Sequence, residues 1–115
     1  MTGLAAFRRG LGPRMATTCV VAMSEFGRRV PENSALGTDH GRGGAMCFMG
    51  GGVKGGRVLG GWPGLRRELL DSPGDLPVWN NCRNILAPVL QRHGAAPESL
   101  QRIFPDFALA PLGLY

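Results

Sequence analysis

Glu25, Asp39 and His40 have the residue types and placement best suited to chemistry in this chain. Glu25 follows the apolar run Thr17-Thr18-Cys19-Val20-Val21-Ala22-Met23, and the pair Asp39-His40 sits in Thr38-Asp39-His40-Gly41, shortly before a second apolar run from Ala45 to Met49. Parallel sheets present ligands at the carboxyl ends of their strands, which is where Glu25 falls. Oxygen and nitrogen donors together suit a divalent ion such as zinc, manganese or calcium. The plainer alternative is that Glu25 pairs with Arg28 or Arg29 and that Asp39 and His40 are ordinary loop residues. Arg28 and Arg42 flank these groups and are placed either to hold an anionic substrate by paired hydrogen bonds or to remain solvated.

Other motifs fail on context. Gly50-x-Gly52-x-x-Gly55 has dinucleotide-fingerprint spacing, but the fingerprint needs a helix immediately afterwards and Gly55 to Pro63 cannot form one. Lys54 is followed by Gly55 and not by serine or threonine, which excludes a phosphate-cradling loop of the P-loop kind. Ser24 lacks the G-x-S-x-G elbow, and Cys47 with His40 has no third group to orient the pair. His93 stands at the end of an amphipathic segment, where it caps a helix.

The elements that must position Glu25 and His40 follow from periodicity. Leu4 to Leu11 has helical spacing, with Thr2 as cap and Gly12-Pro13 as stop. Thr18 to Met23 reads as a strand buried on both faces, as in parallel sheets covered by helices. Gly27 to Gly44 mixes charge, Pro31, Asn33 and glycine and reads as a long functional loop. Ala45 to Met49 reads as a second strand beside the first, and Gly50 to Gly61 as a glycine-rich ribbon. Asn81 caps a helix carrying Ile85, Leu86, Val89 and Leu90, which Pro88 should kink or shorten and which ends near Gly94. Pro97 opens a last helix that stops before Pro105.

Taken in order, Val20-Val21-Ala22-Met23-Ser24-Glu25-Phe26-Gly27-Arg28, Gly37-Thr38-Asp39-His40-Gly41-Arg42-Gly43 and Gly50-Gly51-Gly52-Val53-Lys54-Gly55-Gly56-Arg57-Val58 resemble the end of the domain of unknown function 1501 family. The resemblance continues through Trp62-Pro63-Gly64-Leu65, Asp75-Leu76-Pro77-Val78 and Phe104-Pro105-Asp106-Phe107. It implies kinship with alkaline phosphatases, sulfatases and cofactor-independent phosphoglycerate mutases, and export to the periplasm by the twin-arginine route. It also implies an α/β fold: part of an alkaline-phosphatase-like sheet with flanking helices and a long glycine-rich loop. Glu25 and His40 match two metal-ligand positions of that superfamily, and Asp39 is either a further ligand or the group that orients the imidazole. The resemblance places the nucleophile in an amino-terminal half that precedes residues 1–115, so no catalytic residue is assigned here. Asn81-Cys82, Asn84 and Pro88 depart from the family pattern, and the chain is expected to be a carboxy-terminal fragment.

Composition bounds the alternatives. The chain has 115 residues with 43% hydrophobic content, enough for one small domain. Nineteen glycines are present, eleven of them between Gly37 and Gly61. The formal charge of +5 comes from twelve arginines and Lys54 with no basic run longer than two, which argues against a nucleic-acid partner. Cys19, Cys47 and Cys82 show no C-x-x-C spacing and read as structural thiols. No apolar run approaches membrane-spanning length. Three readings follow: part of a metal-dependent ester hydrolase, a non-catalytic module needing its missing amino-terminal half or self-association, and a small basic polyanion binder.

Overall fold

The computed structural model describes residues Thr2 to Tyr115. Helix α1 (Thr2–Leu11) leads directly into a 3-10 helix (Gly12–Thr17). Thr2 lies within the helix and is not its cap. Gly12 adopts φ +52, which turns the chain, and Pro13 starts the 3-10 segment with its fixed φ.

Strand β1 (Cys19–Ala22) pairs with β4 (Cys47–Gly50), placing Val20 opposite Met49 and Val21 opposite Phe48. The two apolar runs are neighbours in one sheet, as their composition implied. Their direction is different from expectation, because the ladder is antiparallel and all four residues of β1 are half-buried. A parallel pair needs a crossover, usually a helix. Here the chain between β1 and β4 instead folds into a second hairpin and returns in the opposite direction.

That hairpin replaces the long loop expected from Gly27 to Gly44. Strand β2 (Gly27–Glu32) pairs antiparallel with β3 (Thr38–Gly41), with Gly27 opposite Gly41, Arg28 opposite His40 and Glu32 opposite Thr38. A register shift between Arg28 and Glu32 accommodates Pro31, which cannot donate to a ladder. Asn33 builds the turn: its Oδ1 accepts from the Ala35 and Gly37 amides at 3.0 and 3.1 Å, while its own amide donates to the Gly37 carbonyl at 2.8 Å. The outer edge of β2 is not left open. Val30 donates to Gly74, Leu76 donates to Arg28, and Gly43 donates to Leu76 at 2.7 Å. Residues 74–76 thereby cover that edge, with an isolated bridge between Arg29 and Asp75. Gly27 and Gly43 are both buried, and a Cβ on either would overlap backbone carbonyls, of Gly43 in the first case and of Leu76 and Pro77 in the second.

Residues 51–66 form no helix or strand and lead into a short 3-10 turn (Arg67–Leu69). Helix α2 (Cys82–Arg92) begins as its sequence implied, with Asn81 Oδ1 accepting from the Arg83 amide at 3.0 Å. Pro88 removes the donor that the Asn84 carbonyl would use, yet the helix runs on to Arg92. Gly94, at φ +98, then turns the chain towards α3 (Pro97–Ile103).

The core is small and lies at the carboxy-terminal end: Ala87 of α2, Leu100 of α3 and Leu114 of the tail. The tail is a strap. The Ala110 amide donates to Asn84 Oδ1 at 2.7 Å, the Lys54 amide donates to the Leu114 carbonyl at 3.0 Å, and the Arg92 guanidinium lies 4.8 Å from the centre of the Tyr115 ring. Arg92 also donates to the Gly51 carbonyl. The tail and α2 together hold the glycine-rich stretch after β4. At the coarse level the chain mixes helices with small antiparallel sheets, an α/β composition without a parallel sheet.

Candidate functional site

The expected site residues gather around the β2–β3 hairpin, but its two faces divide them. Side chains alternate along a strand, so adjacent Asp39 and His40 leave β3 on opposite sides.

On one face, the His40 imidazole stacks on the Phe26 ring with centroids 3.9 Å apart and planes 16° from parallel. Arg28, directly across the ladder from His40, places its guanidinium 5.0 Å from the Phe26 ring centre. Its Nη1 donates to the Thr38 carbonyl at 2.9 Å. Arg28, Phe26 and His40 thus form one cation and ring cluster at the exposed side of the hairpin. Glu25, next to Phe26, is exposed in the bend before β2, and it makes no ion pair with Arg28 or Arg29 among the described residues.

On the other face, Asp39 is engaged through both oxygens. Asn33 Nδ2 donates to Oδ1 at 2.9 Å and Arg29 Nη1 lies 3.5 Å from Oδ2. Arg29 also donates from Nε to Asp75 Oδ1 at 3.1 Å, and Asp75 is only 7% exposed. This buried charge is paired with half-buried Arg29, so the Asp39–Arg29–Asp75 chain fixes the hairpin to the Asp71–Asp75 turn. Arg42 is drawn to the same turn, donating from Nη1 to Asp71 Oδ2 at 3.1 Å.

Among the described residues no group of three or more histidine, cysteine, aspartate or glutamate side chains is assembled for a metal ion. Two surface hollows, of about 320 and 550 Å³, lie beside α3 and between α1 and β4, and neither is lined by Glu25, Arg28, Asp39, His40 or Arg42. Sequence reasoning did not single out Phe26, Asn33, Asp71 or Asp75. The turn signal was there to be read: Asn33-Ser34-Ala35-Leu36-Gly37 between two polar segments is a hairpin connection containing glycine. Asp75 carried no such mark, since its burial arises from contacts with residues far away in sequence.

A second cluster joins Cys19, Arg92 and Tyr115. The Tyr115 hydroxyl is enclosed without a hydrogen-bond partner. Burial, with the Cys19 thiol beside it, pushes this hydroxyl up to about 12, while the Arg92 guanidinium pulls in the opposite direction. Cys19, Cys47 and Cys82 are all free thiols.

No helix among the described residues is long and apolar enough to cross a membrane. No curated protein and no solved structure matches the chain. A family model described as "Protein of unknown function (DUF1501)" matches residues 2–102. The three motifs that surround Glu25, His40 and the glycine-rich stretch all fall inside that match, and the chain belongs to this family.

Proposed function

We propose that this polypeptide is the carboxy-terminal, ligand-bearing part of a metal-dependent ester hydrolase of the phosphatase and sulfatase kind, and that it has no turnover by itself. The ester-hydrolase part of the reading rests on the family resemblance around Glu25 and His40; the observation that supports a missing partner is surface. The chain exposes 8143 Å², against about 6,100 Å² for a compact monomer of its mass. Its radius of gyration is 16.4 Å, against about 13 Å for a compact domain of this length. No large side chain among the described residues is fully buried. A partner chain that covers this surface and brings the nucleophile would complete the body.

A divalent ion such as zinc, manganese or calcium would lower the pKa of a nucleophile and stabilise charge on a phosphoryl or sulfuryl oxygen. The donors within this chain do not fit such an ion by themselves. Asp39 and His40 leave opposite faces of β3, and both oxygens of Asp39 are already engaged. Glu25 and His40 would supply two ligands, with the remainder coming from the partner. Asp39 then serves to hold the hairpin that presents His40, and Arg28, on the face of His40, would receive the anionic ester group. Arg42 would join it only by releasing Asp71. Export to the periplasm by the twin-arginine route, together with the rest of the protein, belongs to the same proposal.

The test is an assay of an aryl phosphate and an aryl sulfate with zinc, manganese and calcium, using the wild type and His40→Ala. The lone chain is expected to bind metal weakly and to show no turnover. Robust turnover that disappears in His40→Ala would mean that these residues contain a complete site, and would overturn the proposal.

A further inference from the structure

From Arg57 to Arg67 the chain reads Arg-Val-Leu-Gly-Gly-Trp-Pro-Gly-Leu-Arg-Arg, an apolar centre with arginine at both ends and no acidic residue. Its large side chains face solvent: Val58 is 89% exposed, Trp62 60% and Leu65 53%. Asn80 Nδ2 donates to the Gly60 carbonyl at 3.2 Å. That bond ties Gly60 to Asn80, the residue that follows Val78 and Trp79, which are 54% and 50% exposed. Single exposed apolar residues are ordinary, whereas a group that includes two tryptophans marks an interaction surface.

We propose that Trp62 and Trp79, with their arginine rim, form a docking surface for an apolar segment of a partner protein edged by aspartate and glutamate. Tryptophan and arginine are the side chains that most often dominate binding energy at protein interfaces. Charge selects the occupant. Arg66 has only exposed Glu68 as its ion-pair partner, Arg57 is satisfied by the Lys54 and Gly113 carbonyls, and Arg67 makes no ion pair among the described residues. The rim therefore keeps a net positive charge. A second copy would bring the same arginines and a further formal charge of +5 against it, which is the like-charge juxtaposition that selects against a partner. Single-stranded nucleic acid would meet Val58, Leu65 and Val78 around the tryptophans, and aliphatic side chains offer bases no stacking platform.

The inference rests on the reading that a partner completes this chain, and it adds the face and the chemistry of the contact. The test is fluorescence anisotropy of a labelled synthetic peptide of alternating leucine, phenylalanine and glutamate, titrated with the full chain. A peptide with lysine in place of glutamate is the control. Saturable binding of the acidic peptide is expected, weakened at least about ten-fold by the lysine exchange, by Trp62→Ala with Trp79→Ala, and by Arg66→Glu with Arg67→Glu. Leu36→Asn removes a leucine that is 86% exposed at the hairpin tip, and it is expected to leave binding unchanged. Absent binding, equal binding of both peptides, or equal loss with Leu36→Asn overturns the proposal. So does tighter binding of oligodeoxythymidine, or a defined dimer that the tryptophan variant abolishes. Far-ultraviolet circular dichroism matching wild type establishes that each variant is folded. A cooperatively melting monodisperse monomer would defeat the reading of an incomplete body, while the titration would still decide the surface.

Discussion

Asp75 and Arg42 illustrate how burial sets the worth of a charge. Asp75 is nearly covered and accepts from Arg29 Nε, whereas Arg42 meets Asp71 at a largely exposed site. Asp75→Ala is therefore expected to cost about 1–3 kcal/mol, because it leaves Arg29 half-buried with Asp39 alone. Arg42→Ala should cost less than about 1 kcal/mol. Urea denaturation of the two variants measures the difference. Tyr115 is the opposite case, a hydroxyl enclosed without a partner. Its native pKa is raised from 10.0 to about 12, so the neutral form is favoured in the folded chain. That contribution is fully present below pH 10 and is lost as pH rises towards 12. Melting temperature should accordingly fall across this window in the wild type, and less so in Tyr115→Phe.

The elements differ in how far each could be read in advance. Helix α2 was legible because Asn81, the apolar stripe and Gly94 are local signals; Asn81→Ala should cost about 1 kcal/mol of stability, measurable by the same denaturation. The positions of β1 and β4 were legible for a similar reason, since continuous β-branched and apolar runs bounded by glycine and polar residues make strands. Their direction was not, because it depends on what the intervening residues do. Those residues carry no apolar alternation, and β2 is held by Asn33, by the Gly27 and Gly43 contacts and by backbone bonds to residues 74–76. Glu25, Asp39 and His40 could be picked out by type and by family motif. That Asp39 faces Asn33 and Arg29 while His40 faces Phe26 follows only once the segment is known to be a strand. Gly43→Ala tests the close approach, and its added methyl should break the Gly43–Leu76 contact and lower the melting temperature more than Asn81→Ala does.

At the scale of the whole molecule, principal extents of 44 × 39 × 21 Å and, among the described residues, three buried apolar side chains describe a body with little interior. Purified alone, it should associate without fixed stoichiometry, as sedimentation velocity would register. Its cohesion comes largely from bonds between segments distant in sequence. Val30 meets Gly74, Gly43 meets Leu76, Gly51 meets Arg92 and Lys54 meets Leu114, each pair spanning the irregular stretch from residue 51 to residue 66 or one of its ends. Gly61 lies exposed within that stretch at φ +63, with open space where a Cβ would stand. A protease site inserted there would sever the polypeptide without touching any of those four bonds. The two pieces should co-elute until denaturant is added, and should recombine when expressed from separate genes, so that the hairpin with His40 and the helices with the strap form a complementing pair.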